Sequence, residues 1–248
     1  ISQAFNEMCE RLNSYISEVY AAEIQRKNAE LNALQTQIDP HFLYNTLDSI
    51  RAKALAEQDE DTGEMIVLLG KLLRWSSGTT DKFITLEDEL EYIDTYLRLQ
   101  KYRYEERLEV NIQIPDEYLD DFIPKLILQP LVENVIKHAF ADKEDKGFIG
   151  IVASEKEGKR LEITIFDNGK GIEKDTLQEI CEKLNQQVLQ DEFKSIGLQN
   201  VQARLKLLFG EEYGLMIKST AGIGTAVKVT FPILTQKDVQ DGCINYSS

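Results

Sequence analysis

The sequence predicts an α/β (α+β) chain of two domains, a helical hairpin followed by an α/β sandwich on a mixed sheet. Three observations predict it. Up to about Arg107 there is one proline, and apolar residues recur at helical spacing. From Leu108 onward, short runs rich in Val, Ile and Thr alternate and are punctuated by glycine. Segments of helical spacing fall between those runs, as in an α/β layer. The 248 residues suit one large domain or two ordinary ones, and 42% hydrophobic with 29% charged residues is a globular composition.

In the first part, Phe5, Met8, Leu12, Ile16 and Val19 recur at spacings of three and four, and Ile24, Leu31, Leu34 and Ile38 continue a broken form of that stripe. An apolar seam on a polar helix needs a partner surface, as in a coiled coil or bundle. Ile38, Phe42, Leu43, Leu47 and Ile50 extend the face past Pro40, which either kinks one long helix or opens a new one with Asp39 as N-cap. Met65, Ile66, Leu68, Leu69, Leu72 and Leu73 make a second helix, ended by Ser76, Ser77 and Gly78. A third starts at Thr85, with Asp88 in the capping-box position usually held by Glu, and Leu90, Ile93, Tyr96, Leu97 and Gln100 run down one side. Together these predict an antiparallel hairpin and a connecting helix.

In the second part Leu108–Ile114, Phe148–Ser154, Leu161–Asp167, Gly214–Thr220 and Thr225–Phe231 are predicted strands, with the second and third joined as a hairpin across Lys156–Gly158. Pro124–Phe140, Asp175–Gln190 and Leu198–Phe209 carry helical spacing. Four regions follow: a signalling helix over 1–30, a helical dimerisation region over 31–107, a catalytic α/β domain over 108–235, and a frayed tail over 236–248.

Composition narrows the function. With 28 basic and 43 acidic residues the net charge is −15, which argues against a nucleic-acid binder, since phosphate backbones are gripped by clustered Lys and Arg. A single bound nucleotide is not excluded. No apolar run approaches the ~20 residues that cross a bilayer. The chain starts at Ile1, so the expectation is a piece of something longer, with any membrane segment lying before it. Cys9, Cys181 and Cys243 form neither a zinc spacing nor a disulfide framework, and a reducing, cytoplasmic setting is the default reading.

Four clusters carry candidate chemistry. His41 lies in Gln37-Ile38-Asp39-Pro40-His41-Phe42-Leu43-Tyr44-Asn45-Thr46-Leu47, where Asn45 at i+4 shares its helix face. A neutral imidazole can use a ring nitrogen as nucleophile, although a lone histidine is more often an ordinary surface or core residue. Glu133, Asn134, Lys137 and His138 are polar groups on an otherwise apolar helix. An amide and a carboxylate suit hydrated Mg²⁺ and an ammonium suits phosphate, while the alternative is a solvated helix face. Asp167-Asn168-Gly169-Lys170-Gly171 ends a strand; Asp167 can accept a hydrogen bond from an exocyclic amine such as adenine's, or the stretch is an ordinary Asn-Gly turn. At Gly197-Leu198-Gln199-Asn200 a loop enters a helix whose free N–H groups suit phosphate, unless it is simply a helix start. Gly222-Ile223-Gly224-Thr225 joins two predicted strands without the Gly-Lys-Ser/Thr of a P-loop.

The order of these boxes resembles the GHKL or Bergerat ATP-binding domain shared by sensor histidine kinases, gyrase-type topoisomerases and Hsp90. The stretch around His41, together with Leu73-Arg74-Trp75-Ser76 and Leu86-Glu87-Asp88-Glu89-Leu90-Glu91-Tyr92-Ile93, is similar to the YesM/LytS-type bacterial sensor histidine kinases. The resemblance covers roughly Leu31 to Pro232. It implies His41 as phosphoacceptor, Asn134 as Mg²⁺ ligand, Lys137 near the phosphates and Asp167 on the adenine amine. It further implies Gly169 and Gly171 at the adenine, with Gly197, Leu198 and Asn200 by the phosphates. His138, Gly222, Gly224 and Thr225 are counted with the ATP-binding residues. Glu173 to Ser195 would be a lid over ATP, and Phe5-Asn6-Glu7-Met8 is similar to the end of a HAMP module, so the resemblance implies the cytoplasmic part of a cell-membrane receptor. The implied activity is autophosphorylation and transfer to an aspartate of a response regulator, by a homodimer; a further hypothesis has Asn45 orienting a water when the partner is dephosphorylated. The alternative is an ATP-gated dimerisation module without transfer. Phe42 follows His41 where many histidine kinases carry an acidic residue, as in this subgroup, so Glu133 becomes the candidate base. Ser195 replaces the subgroup's usual glycine, which would stiffen the lid hinge.

Overall fold

The computed structural model describes residues 40–77, 81–104, 107–140, 146–156, 159–185 and 197–240. The predicted signalling helix, Asp39, Gly78, the second half of the predicted lid with Ser195, and residues 241–248 lie outside the described residues. The chain divides into two compact units, residues 1–63 and 64–248.

In the first unit helix α1 (Pro40–Ala56) starts the described chain. A turn follows in which Gln58 has φ 61°, and Asp59 caps the next helix, α2 (Glu60–Ser77). Asp59 accepts the Thr62 N–H at 3.0 Å and the Thr62 hydroxyl at 2.6 Å. Those two bonds hold its carboxyl below the ordinary range.

The second unit begins within α2 and is organised around a five-stranded sheet. Strand β1 (Phe83–Thr85) leads directly into helix α3 (Leu86–Tyr104). The predicted cap is present: the Asp88 N–H donates to Thr85 Oγ1 at 3.1 Å. Strands β2 (Leu108–Gln113), β4 (Gly147–Lys156), β5 (Arg160–Asp167), β6 (Gly214–Thr220) and β7 (Gly224–Pro232) form the sheet in the order β2-β4-β5-β7-β6. The β2–β4 pair is parallel and the rest antiparallel, so the sheet is mixed. Alternation on β5 buries Leu161, Ile163 and Ile165 on one face. These join Ile149, Ile151, Val229 and Phe231 in a core shared with Leu86, Ile93 and Leu97 of α3 and with Val201 and Leu205 of α6 (Leu198–Phe209). Burying each such side chain is worth about 1.5–3 kcal/mol. Glu162 and Lys228, on other register positions of β5 and β7, pair at 2.9 Å.

Three segments differ from the sequence expectation. Strand β3 (Phe122–Pro124) pairs antiparallel with β1, Ile84 opposite Ile123, where Pro124–Phe140 was expected to be continuous helix. Three-residue strands are too short to show alternation. Helix α4 starts only at Gln129 and runs to Asn134, after a turn in which Leu126 has φ 65°. Helix α5 (Lys174–Asn185) matches the described part of the predicted Asp175–Gln190 segment. Beyond Thr235, a short helix α7 (Gln236–Gln240) replaces the start of the expected tail. Thr235 donates both its N–H, at 2.8 Å, and its hydroxyl, at 2.6 Å, to Asp238, and Val239 packs on the Phe83–Leu208–Leu234 cluster. That anchoring comes from a Thr-x-x-Asp cap and one apolar residue, too little for periodicity to register.

Candidate functional site

Helix α4 passes at Val135 into a π-helical turn, Val135–Ala139. Such widened turns recur at functional sites. Leu131, Val132, Val135, Ile136 and Ala139 face the core, Glu133 and Asn134 are half-buried, and Lys137 and His138 are exposed. Burial, then the charges of Lys137 and Lys170, hold the His138 imidazole below its ordinary pKa. This locates Lys170, from the loop after β5, beside the end of the helix. Glu133 accepts a hydrogen bond from Gln129 Nε2 at 2.6 Å. Burial and then the charge of Glu133 push the Tyr92 and Tyr96 hydroxyls of α3 up to about 12.

The Asp167 loop is locked onto that helix and onto the β6–β7 turn. Asp167 Oδ1 accepts the Gly169 N–H at 2.7 Å and the Thr225 N–H at 3.3 Å. Asn168 Oδ1 accepts the Phe148 N–H at 2.8 Å. The Lys170 N–H donates to the Ala139 carbonyl at 3.3 Å, and the Gly222 N–H donates to the Lys170 carbonyl at 2.7 Å. A Cβ at Gly169 would lie 2.3 Å from that of Ala139, so only glycine permits this approach. Gly171 has φ 66°, and a Cβ there would lie 2.0 Å from the Thr220 carbonyl oxygen. The loop is therefore a specific docked structure, beyond an ordinary Asn-Gly turn.

Gly197 caps α6 and closes the other side: a Cβ at Gly197 would come 2.8 Å from Asn134 Nδ2. The start of α6, with Leu198 half-buried and Asn200 exposed, therefore lies against the Asn134 amide. Within one unit Asn134 thus meets Gly197, and Asp167, Gly169, Gly171, Gly222, Gly224 and Thr225 are linked by direct contacts to one another and to Ala139, with Lys137 and His138 adjoining them on the π turn. In the other unit, His41 and Asn45 are exposed on α1, and Asn45 Nδ2 lies 3.2 Å from His41 Nδ1 and 3.4 Å from Nε2.

The sequence reading assigned no role to three polar residues around this framework. Ser219 donates to the Gly224 carbonyl, accepts the Ile172 N–H and lies 2.8 Å from Thr225 Oγ1. Arg204 of α6 donates to the carbonyls of Lys125 and Lys82. Glu89 of α3 is fully buried and accepts the N–H groups of Leu126 and Leu128 at 3.0 Å and of Gln129 at 3.3 Å. Burial pushes its carboxyl above the ordinary range, and those N–H donors pull it back. The signal for Glu89 was present: Leu86, Glu89, Ile93 and Leu97 are spaced three, four and four apart, which puts the carboxylate on the buried face.

Comparison with known proteins agrees with this framework. Residues 29–108 match the family described as histidine kinase, and residues 120–235 match the histidine kinase-, DNA gyrase B- and HSP90-like ATPase family. The chain belongs to the sensor histidine kinases. It is 37% identical over 232 residues to sensor histidine kinase YesM of Bacillus subtilis, covering 94% of this chain and 38% of that protein. It is 33% identical over 225 residues to sensor histidine kinase/phosphatase LytS of Staphylococcus aureus, covering 89% of this chain and 38% of LytS. The chain therefore spans well under half the length of those relatives. A solved histidine kinase domain of the Erythrobacter litoralis EL346 blue-light activated histidine kinase aligns at TM-score 0.45 and 18% identity, over 81% of this chain and 96% of that one. Among the described residues no helix is long and apolar enough to cross a membrane.

The chemistry around Asn134 suits Mg²⁺. Among the described residues no three His, Cys, Asp or Glu side chains group as a metal cage. Mg²⁺ that travels with a nucleotide does not need one, because it takes one or two protein oxygens and fills its octahedron with water and phosphate. The Asn134 side-chain amide, packed close to Gly197, offers an oxygen of that kind.

Proposed function

We propose that this chain is an ATP-dependent protein-histidine kinase that phosphorylates itself on His41 and passes the phosphoryl group to an aspartate of a response regulator. The observation that carries the reading is the convergence of Asn134, the Asp167–Gly171 loop and the Gly197 end of α6 in one unit. In this reading Asp167 holds the adenine amine, with Gly169 and Gly171 beneath the ring and the Gly222–Thr225 turn bracing the carboxylate. Lys137 and the N-terminus of α6, through Gly197, Leu198 and Asn200, receive the phosphates. His138, kept largely neutral beside Lys170, serves as a hydrogen-bonding group there. Asn134 would hold Mg²⁺, which supplies charge neutralisation across the phosphate oxygens.

A ring nitrogen of His41 attacks the γ-phosphorus. A P–N bond forms, the bond from phosphorus to the bridging oxygen breaks, ADP leaves with the electron pair, and Glu133 takes the imidazole proton. Positioning and charge neutralisation supply most of the catalysis in such transfers. Residues 31–107 form the dimerising and phosphoaccepting region of a homodimer, and residues 108–235 form the ATP-binding domain. Exposure of His41 on α1 suits access by a partner's aspartate. Asn45, beside the imidazole, orients a water when the partner is dephosphorylated; LytS is itself named a kinase/phosphatase.

Incubation with γ-labelled ATP and Mg²⁺ tests the reading. The expected product is acid-labile, base-stable phosphate on the chain that disappears in His41→Ala. Nucleotide binding without any such label would instead identify an ATP-gated interaction module. Unchanged partner dephosphorylation in Asn45→Ala would remove the role given to that amide.

A further inference from the structure

The turn at residues 125–129 holds both sides of the nucleotide framework. From one side Glu89, on α3, accepts the N–H groups of Leu126, Leu128 and Gln129. Leu128 and Gln129 open α4, where N–H groups have no partner within the helix, so a carboxylate 39 residues earlier in the chain does the work of an N-cap. The third donor, Leu126, has φ 65°, a left-handed conformation unfavourable for leucine, and its side chain is 40% exposed. The N–H to carboxylate bond is one of the contacts that hold the backbone there. From the other side Arg204 donates to the carbonyl of Lys125, the residue just before Leu126. Arg204 belongs to α6, whose first turn lies against Asn134. Glu89 and Arg204 also attract one another electrostatically. One turn therefore fixes where α4 points and, through Arg204, where α6 sits.

We propose that Glu89 is a positioning residue for the MgATP site: by holding the 126–129 turn it aims α4 so that the Asn134 amide faces the Gly197 end of α6. The inference rests on the nucleotide reading given above. It concerns first the metal–phosphate end of the site; the adenine end is braced as well by Thr225, outside α4.

The test is calorimetric titration of the full chain and its variants with MgATP and, separately, with ADP in the presence of a chelator, alongside thermal melting. Glu89→Gln keeps the shape but turns an acceptor into a donor toward one N–H. It is expected to weaken MgATP binding about tenfold or more while Mg-free ADP binding stays within about twofold. Arg204→Met, releasing the Lys125 carbonyl, is expected to shift MgATP affinity in the same direction by about threefold or more. Adding Leu126→Gly to Glu89→Gln, which relieves the left-handed strain, is expected to recover part of the lost MgATP affinity. MgATP affinity unchanged in folded Glu89→Gln, or equal losses with and without metal, would overturn the proposal. Should Glu89→Gln not fold, unchanged MgATP affinity in Arg204→Met overturns it. No MgATP binding by the unaltered chain would sink the nucleotide reading and this inference together, whereas binding that survives these substitutions sinks this inference alone.

Discussion

His41 and Asp167, the two residues on which the proposed reaction most depends, occupy opposite surroundings. His41 stands exposed on α1 with the Asn45 amide beside it. Asp167 is half-buried at a strand end, in a loop fixed by glycines that contact Ala139 and Thr220. A group that must meet two partners in turn, a nucleotide and then another protein, has to be reachable. A group that only recognises a nucleotide gains by being held still before the ligand arrives. Substitutions should therefore act on chemistry alone in the first region, and on folding and binding together in the second.

The largest expected separation is between His41→Ala and Asp167→Asn. The first should abolish phosphate labelling completely and leave nucleotide affinity unchanged by calorimetry. The second should weaken nucleotide binding by about tenfold or more, because the side chain exchanges a charge-assisted acceptor for a neutral amide. A His41 variant that lost nucleotide affinity would break the comparison.

Next is the loop's rigidity. Gly171→Ala combines a left-handed φ with a Cβ 2.0 Å from a carbonyl oxygen, and urea unfolding should show a loss of about 3 kcal/mol or more. Gly222→Ala also has a left-handed φ, 77°, but meets nothing within 4 Å, and should lose only about 1 kcal/mol. Equal losses would mean that the close approach at Gly171 contributes nothing to stability.

A smaller effect of opposite sign is expected at Gly70, inside α2, where an added Cβ likewise meets nothing within 4 Å. Gly70→Ala should raise stability by about 0.5–1 kcal/mol, read as a higher unfolding midpoint.

The smallest effect is a pH dependence. Glu64 accepts hydrogen bonds from the Tyr102 hydroxyl at 2.7 Å and Arg98 Nη2 at 2.6 Å, which hold its carboxyl below the ordinary 4.5. A lowered folded pKa contributes stability above the unfolded value, and that contribution is lost as pH falls through the folded value. Glu64→Gln should flatten the acid limb of a stability–pH curve below 4.5 and leave neutral stability little changed. An unchanged acid limb would show the bonds to be without thermodynamic weight.

What could be read in the sequence followed the length over which each signal accumulates. The five long strands and α6 were legible because alternation or helical spacing persisted across six or more residues. The Asp167 and Gly197 boxes were legible as a resemblance, since several short patterns in one order specify more than any single pattern. What escaped depended on contacts distant in sequence. The β1–β3 pair joins residues 83–85 to residues 122–124. The Pro124–Gln129 turn is shaped by Glu89, and local propensity has no means of expressing a carboxylate on another helix. Glu89 itself lay within an acidic run whose ordinary reading is a solvated helix start.

The π turn at Val135–Ala139 makes chain length a variable at the site. A π turn is an α-helix carrying one surplus residue, so deleting a single residue there would return the segment to regular α geometry. Each carbonyl in the segment would then accept from an N–H four residues on instead of five, and the turn would narrow. The Ala139 carbonyl would then no longer meet the Lys170 N–H, and Gly169 would lose the methyl it is shaped against. An interior helix usually tolerates a substitution better than a change of length. In this one the surplus residue sets where the helix end meets the Asp167 loop, so a change of chain length there would reset that contact without altering any of the side chains around it.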